Sequence, residues 1–220
     1  MPFRVVRPFV VGAALLLAGA STGVAANATS VVVDRTALAH RLALLSDGPS
    51  RAALDAALAA YSSATTLGEV ARTGLLTVID YTRPSTEPRL WVLDLDRGRV
   101  LYRELVAHGR RSGENTTRAF SNAPGSLMTS LGLFVTDTPY VGHNGYSLRL
   151  RGLQPGVNDR AYERAIVVHG AAYVNQAIAE KAGRLGRSWG CPAVRPEIAR
   201  TLIDTIKGGT VVYAYGGRSS

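Results

Sequence analysis

Cysteine is almost absent from this sequence of 220 residues, in which Cys191 is the only one. A single cysteine cannot form an internal disulfide, so a disulfide-stapled scaffold is excluded. The remaining roles are a reactive thiol, one half of an intermolecular bridge, or a buried and inert small hydrophobe. The cysteine count alone does not decide among these three roles, so the decision depends on the sequence around Cys191.

Lysine is equally scarce, because all but Lys181 and Lys207 of the 25 basic residues are arginine. The net charge is +9, but the arginines are scattered rather than clustered. The sequence therefore has neither a nucleic-acid-binding arm nor a polybasic membrane anchor. A positive surface favours an anionic partner, although a solvated surface without any partner is the simpler explanation.

Long apolar runs are missing except near the N-terminus. Two arginines precede an apolar stretch at residues 9–18, and small residues follow, with cleavage positions after Ala20 or Ala26. This order predicts a signal peptide over residues 1–26. The stretch is short for a membrane span, although an uncleaved anchor helix is the alternative. We expect a secreted mature protein without a stable membrane span.

Hydrophobic periodicity divides the remainder into two parts. Apolar residues recur at helical spacing in residues 36–46 and 50–62, which predicts a small N-terminal helical segment within residues 27–66. Strand-like stretches then follow at 75–81, 89–95, 99–107, 131–136, 146–153, 165–169 and 210–215. One helix is predicted from Pro196 onward. Because strands follow strands, we predict a mainly antiparallel β domain (α+β class) over residues 67–220, with a C-terminal helix.

Several kinds of site are disfavoured by what the sequence does not contain. The four histidines, at positions 40, 108, 143 and 169, show no close metal-ligand spacing. No glycine-rich phosphate loop follows a strand, and no Gly-x-Ser-x-Gly elbow is present. We therefore expect no metal and no cofactor. A pair of glycosidase carboxylates stays open, but nothing singles one out.

Cys191 and His169 are the candidates for chemistry. His169 ends an apolar strand and is followed by Gly170, while Cys191 lies in a glycine-flanked loop before the last helix. A thiol is mostly protonated at neutral pH, so a nucleophilic cysteine needs a base such as this imidazole. A carbonyl near Gly170 could orient the ring, and the N–H groups of Gly190 and Cys191 could form an oxyanion hole. A lone histidine is more often a core residue, but its pairing with the only cysteine favours catalysis.

His169 and the segment from Ser188 to Cys191 resemble, in order and spacing, the motif of the YkuD-like L,D-transpeptidases. Residues 80–95, 119–136, 145–153 and 186–194 are similar to the murein L,D-transpeptidase catalytic-domain branch of that family. The resemblance implies a cysteine that attacks a peptidoglycan tetrapeptide stem between the diamino acid and the terminal D-Ala. D-Ala leaves, a thioester forms, and an amine takes the acyl group.

The same resemblance implies roles for individual residues. Cys191 matches the nucleophile, His169 the base, Gly170 the carbonyl that orients the imidazole, and Gly190 the oxyanion region. The implied partners are peptidoglycan stem peptides and, as one candidate acceptor, an envelope protein, with the enzyme in the periplasm or cell envelope. Trp189 replaces the usual motif histidine, and Ala193 replaces a polar residue. Both departures concern substrate or oxyanion contacts rather than the nucleophile and its base.

We also predict a substrate groove lined by the loop at residues 121–131 and by the strand that contains Tyr146. Ser126 and Asn122 would hydrogen-bond the stem, and His108 and Tyr146 would face the groove, although ordinary turn roles are at least as plausible for the loop residues. Trp189 is either a wall of the pocket or a core residue.

There are four alternatives to the transfer reaction that the resemblance implies. A sortase-like enzyme shares the order His, Cys, Arg, but its cysteine ends a strand, and a papain-like amidase has its cysteine before its histidine. An L,D-carboxypeptidase would pass the same acyl group to water. A catalytically weak peptidoglycan-binding protein would use Trp189 and the basic surface.

Overall fold

The computed structural model describes residues 48–217, which form one mixed eight-stranded sheet and three helices that pack around it. The helices are α1 (Arg51–Thr66), α2 (Gln176–Ala182) and α3 (Pro196–Ile206). The strands are β1 (Leu75–Asp80), β2 (Leu90–Asp94), β3 (Arg99–Glu104), β4 (Gly132–Gly142), β5 (Gly145–Gly152), β6 (Val167–Gly170), β7 (Ala193–Val194) and β8 (Val211–Tyr215). The predicted signal peptide and the predicted helix at 36–46 lie outside the described residues.

The strands are arranged in the order β3-β2-β1-β8-β4-β5-β6-β7. Five of the seven pairings are antiparallel, which confirms the mainly antiparallel prediction, while β1 with β8 and β6 with β7 are parallel. The segment after β3 also bonds to β7, because the Ala107 N–H donates to the Ala193 carbonyl at 2.8 Å. This bridge brings the two edges of the sheet together, and the loop that contains Cys191 leads into that junction.

Helix α1 begins at a polar cap and packs on one face of the sheet. The Ser50 hydroxyl accepts a hydrogen bond from the Ala53 N–H at 3.2 Å, which satisfies one of the donors left unpaired at a helix start. The buried side of the helix consists of Ala53, Leu54, Ala57, Tyr61 and Ala64. These residues pack with Val78 and Trp91 of the sheet. The helix predicted as an N-terminal segment therefore shares a core with the strands.

Helix α3 packs on the opposite face and confirms the predicted C-terminal helix. Pro196 occupies the first turn, where its missing N–H costs nothing. The buried residues of the helix share a core with Ile79, whose strand neighbour Val78 packs with α1. A Cβ atom at Gly170 would lie 3.0 Å from the Ala199 Cβ, so this glycine lets α3 approach the end of β6. None of the helices within residues 48–217 is long and apolar enough to cross a membrane.

Candidate active site

The loop that contains Cys191 is held on both sides by the segment that follows β3. The Ser188 N–H donates to the His108 carbonyl at 2.9 Å, and the Arg110 N–H donates to the Ser188 carbonyl at 2.8 Å. Beyond the cysteine, Ala193 accepts the hydrogen bond from Ala107 described above. The backbone on either side of Cys191 is thus fixed by hydrogen bonds to one neighbouring segment.

Ser188 also organises the loop from within. Its hydroxyl donates to the Cys191 carbonyl at 2.6 Å and accepts from the Gly190 N–H at 3.1 Å. Gly190 has a φ of +130°, and a Cβ atom there would lie 2.7 Å from the Met128 carbonyl oxygen. Gly190 is therefore required by the backbone conformation and by close packing. Its N–H, expected to line an oxyanion hole, is instead occupied by the Ser188 hydroxyl in this structure.

His169 lies beside this loop because of the strand register. It pairs with Ser147 of β5 on one side and with Ala193 of β7 on the other, two residues after Cys191. Its Nδ1 atom is 3.0 Å from the Gly170 carbonyl oxygen, as the sequence suggested. A carbonyl can only accept, so Nδ1 carries the proton and the Nε2 atom of the neutral ring keeps its lone pair. Burial lowers the pKa of His169, against the opposing effect of the Gly170 hydrogen bond.

The Cys191 side chain is 9 % exposed, and its thiol donates to the Ala165 carbonyl at 3.6 Å. Burial raises the pKa of Cys191, while a hydrogen bond from the Val167 backbone and the charge of Arg164 lower that pKa. Within residues 48–217, the thiol makes no hydrogen bond to His169. Proton transfer to the imidazole therefore requires the thiol to turn away from Ala165, which itself has a φ of 52°.

Arg164 joins the loop at residues 121–131 to the loop that contains Cys191. Its guanidinium donates to the Met128 carbonyl at 2.7 Å and to the Ser126 hydroxyl at 3.1 Å. It also donates to Ser121 and Ser130. A Cβ atom on Gly190 would lie 3.3 Å from the same guanidinium. Ser126 is therefore near the loop that contains Cys191, but its hydroxyl already accepts a hydrogen bond from Arg164.

Asn122 and Tyr146, two of the predicted substrate contacts, make internal contacts instead. The Asn122 amide donates to Asp159 at 2.7 Å and accepts from the Arg160 N–H at 3.2 Å. The Tyr146 hydroxyl donates to Asp204 at 2.7 Å. Because Ser147 pairs with His169 and neighbouring strand residues point to opposite faces, Tyr146 lies on the face away from His169. The structure therefore does not place these two side chains beside the imidazole.

His108, also predicted to face the groove, is only 1 % exposed. Its Nδ1 atom lies 2.7 Å from an Arg89 guanidinium nitrogen, and its Nε2 atom lies 3.2 Å from the Gly113 carbonyl. Arginine can only donate, so Nδ1 is the acceptor and Nε2 carries the proton. Burial and the Arg89 charge lower the pKa of His108 to about 4. The backbone carbonyl of His108 supports the loop, and its side chain is closed to solvent.

Trp189 is 72 % exposed, which contradicts a core role for its ring. The indole lies in the loop between Ser188 and Gly190, two residues before Cys191 in the chain. Among the described residues, no cluster of three or more His, Cys, Asp or Glu side chains could hold a metal ion.

Sequence reasoning missed Arg164 and a second arginine, Arg149 of β5. The Arg149 guanidinium contacts two aromatic rings, 4.5 Å from the Tyr140 ring centre and 5.2 Å from that of Tyr162. The alternation in β5 was a usable signal, because it puts the arginine on the same face as Ser147. No local pattern predicts the stacking, because Tyr140 and Tyr162 come from other segments of the chain.

Comparison with known proteins identifies the family. The family described as "L,D-transpeptidase catalytic domain" matches residues 46–215. No curated protein matches the chain.

Solved structures of L,D-transpeptidases resemble the chain only distantly. L,D-transpeptidase 1 of Mycobacterium tuberculosis is 16% identical, with a TM-score of 0.37 over 65% of this chain and 62% of its own. An L,D-transpeptidase from Xylanimonas cellulosilytica is 19% identical, with a TM-score of 0.40 over 70% of this chain and 68% of its own. The one from Mycobacterium smegmatis is 15% identical, with a TM-score of 0.40 over 64% of this chain and 58% of its own, so the chain spans about three fifths of the mycobacterial structures. On the match over residues 46–215, the chain belongs to the L,D-transpeptidase catalytic domain family.

Proposed function

We propose that the protein is a cysteine-dependent L,D-transpeptidase that acts on peptidoglycan tetrapeptide stems through a thioester on Cys191. Family membership supports the reaction class. The observation that carries the assignment is the His169 Nδ1–Gly170 hydrogen bond, which leaves Nε2 unprotonated in the strand beside the only cysteine. A neutral imidazole with a free nitrogen is the form that a general base requires.

The acylation half of the reaction follows from these two groups. The thiol turns from Ala165 and gives its proton to Nε2 of His169, and the sulfur attacks the carbonyl between the diamino acid and D-Ala. The carbon–nitrogen bond breaks as the imidazolium returns the proton to the leaving amine. D-Ala departs and a thioester remains on Cys191. An acceptor amine then attacks the thioester, loses a proton to His169, and the thiol is restored with that proton.

The oxyanion formed in each step needs backbone donors. The Gly190 N–H is occupied by Ser188, whereas within residues 48–217 the Cys191 N–H has no acceptor. We assign the Cys191 N–H as the principal donor. Ser188 fixes the orientation of this donor, because its hydroxyl bonds the Cys191 carbonyl. Removal of a single oxyanion donor costs roughly 3 kcal/mol in enzymes of this general type.

The substrate and location follow the same proposal. Peptidoglycan stem peptides are the acyl donors, and a second stem or an envelope protein supplies the amine. The predicted signal peptide would deliver the enzyme to the periplasm or cell envelope. Hydrolysis by water shares the thioester, so an L,D-carboxypeptidase differs only in the acceptor.

One observation favours a second candidate, a peptidoglycan-binding protein with weak activity. The Cys191 thiol is buried while Trp189 is largely exposed, as in a surface that binds without reacting. Incubation with a stem tetrapeptide separates the two functions. Release of free D-Ala by the wild-type chain supports the enzyme, and binding of the peptide without release supports the binding protein.

Purified stem tetrapeptide tests the enzyme directly. Incubation followed by mass spectrometry of the intact protein should show an adduct equal to the stem without D-Ala, together with free D-Ala. Cys191→Ser should give neither product, since the nucleophile is missing. Release of D-Ala by the Cys191→Ser protein would refute the assignment.

A further inference from the structure

We infer that Arg149 binds a carboxylate of the stem peptide and thereby selects the substrate of the proposed transpeptidase. The inference rests on that proposed function. It names the residue that would recognise the negatively charged end of the substrate, a role that none of the residues above fills.

Two independent observations place Arg149 near the proposed catalytic pair, one from the strand register and one from the contact with Tyr162. In β5, Arg149 lies two residues from Ser147, which pairs with His169, so the three side chains share a face. Neighbours on this diagonal are about 7–8 Å apart, within reach of long side chains. On the other side, Tyr162 stacks on Arg149 and begins the short turn whose Ala165 carbonyl accepts the Cys191 thiol.

The guanidinium is held in position without using its donors. Tyr140 and Tyr162 lie 4.5 and 5.2 Å from it, and contacts of this kind hold a cation by its face. Within residues 48–217, Arg149 makes no hydrogen bond or ion pair. Arg151, two residues on and on the same face, is instead paired with Glu69 at 3.0 Å. Arg149 is thus a fixed, half-buried cation whose in-plane N–H groups await an acceptor.

A carboxylate is the ligand that matches these donors, because the guanidinium fork binds its two oxygens together. The proposed substrate has one carboxylate three bonds from the attacked carbonyl, on D-Ala, which is roughly 3–4 Å away. From its position diagonal to His169 across the β5–β6 pair, the long Arg149 side chain can reach a carboxylate so close to the attacked carbonyl. The distal carboxylate of the diamino acid is a second source with the same chemistry.

Binding measurements can be made without turnover on the full chain that carries Cys191→Ala. Titration calorimetry would give Kd for three ligands: the tetrapeptide stem, the same peptide with a C-terminal carboxamide on D-Ala, and the same peptide amidated at the distal carboxylate. The Cys191→Ala chain is the parent protein. It is compared with three double variants, in which Arg149→Met, Arg149→Lys or Arg151→Met is added. Arg151→Met is the matched control on the same strand face.

One of the two amidations should weaken binding to the parent and to the Arg151→Met protein by about ten- to hundredfold, as expected for a hydrogen bond to a charged group. Which amidation does so identifies the carboxylate. The penalty should vanish with Arg149→Met and be partly kept by Arg149→Lys. The penalty is the ratio of the Kd values of two ligands on one protein. Loss of the tyrosine stack alone would weaken the binding of both ligands equally and leave this ratio unchanged.

The inference is overturned if the amidation penalty is the same with and without Arg149, if neither amidation weakens binding to the parent, or if no stem binds. These outcomes are separate from the turnover assay on the wild-type chain. If amidation weakens binding in the expected Arg149-dependent way but the wild-type chain releases no D-Ala, the proposed reaction is refuted and the carboxylate site stands. If D-Ala is released but amidation does not weaken binding, the reaction stands and the carboxylate site is refuted.

Discussion

Two histidines flank the loop that contains Cys191, and their environments are opposite. His169 donates from Nδ1 to the Gly170 carbonyl and keeps Nε2 free. His108 accepts at Nδ1 from Arg89 and donates from Nε2 to Gly113, so both of its nitrogens are occupied. Both are buried, and burial lowers both pKa values, more strongly in His108 beside a guanidinium.

The difference shows that burial alone does not make a histidine catalytic. The partner of Nδ1 decides the tautomer, and the tautomer decides whether a lone pair is available. A carbonyl partner makes His169 a potential base, whereas a guanidinium partner makes His108 a structural acceptor. The two residues can therefore be distinguished by substitutions that affect activity in one case and stability in the other.

The largest expected effect is on turnover. Cys191→Ser should abolish D-Ala release, and His169→Ala should lower kcat/KM by about a thousandfold, within the range for general-base catalysis. Because the two groups act as a unit, the double variant should be no slower than the serine variant. His108→Asn, which keeps an acceptor near Arg89, should retain most of the activity of the folded protein. A His169→Ala enzyme with near wild-type kcat/KM would refute the base assignment.

The next effect concerns stability at low pH. The pKa of His108 falls from 6.5 to about 4 on folding, so the unfolded chain binds a proton more readily. The contribution of His108 to the free energy of unfolding is fully present above pH 6.5. As the pH falls towards 4, protonation of the unfolded chain should lower the free energy of unfolding by roughly 3 kcal/mol. Denaturant titrations at several pH values measure this loss.

His108→Asn is the control for that titration, because it has no titratable group at this position. Its stability should change less than that of the wild type over the same pH range, apart from contributions of other groups common to both. If the stability of the two proteins changed with pH in parallel, His108 would not be the source of the loss of stability at low pH.

A third effect separates the base from the thiol through pH profiles. The acid limb of kcat/KM should have its midpoint below pH 6.5, because burial lowers the pKa of His169. Alkylation of Cys191 by iodoacetamide in the absence of substrate should have a midpoint above that of an ordinary thiol, because burial raises its pKa. Arg164→Met should raise the thiol midpoint further, since the Arg164 charge lowers this pKa. An unchanged or lower midpoint would remove Arg164 from the electrostatics of the thiol.

The smallest expected effect on stability comes from Trp189→Ala. Because the ring is 72 % exposed, the free energy of unfolding should change by no more than about 0.5 kcal/mol. Activity on stem peptides should fall about tenfold if the ring contacts the stem, while alkylation of Cys191 by a small reagent keeps its rate. A large drop in Tm would instead indicate that the ring packs against the protein.

Seven of the eight strands were predictable because their apolar content is local, and so was α3 with Pro196 in its first turn. Strand β7 was missed because it has only two residues. The parallel pairing of β1 with β8 was not, because it joins segments more than a hundred residues apart. Helix α2 was missed because it spans seven residues and buries only Ala179. Local patterns thus gave the elements, and long-range packing gave their order.

The candidate site divides in the same way. Cys191, His169 and Gly170 were predicted as site residues from residue types and the loop sequence, and they stay predictions. The surroundings of His108 and Tyr146 could not be predicted, because each depends on a distant partner, Arg89 in one case and the register with β6 in the other. Sequence shows which side chains exist, whereas the direction in which each points depends on contacts made elsewhere in the chain.

The burial of the Cys191 thiol has a consequence for chemical durability. Peroxides and other oxidants attack the thiolate, and their rate follows both ionisation and exposure. The Cys191 thiol is both poorly ionised and poorly exposed, because its pKa is raised and only 9 % of the residue surface is accessible. With no second cysteine in the chain to form a disulfide, a sulfenic acid here could not be resolved internally. In the proposed mechanism, a sulfur that stays neutral until a substrate arrives would therefore be protected from irreversible oxidation between turnovers.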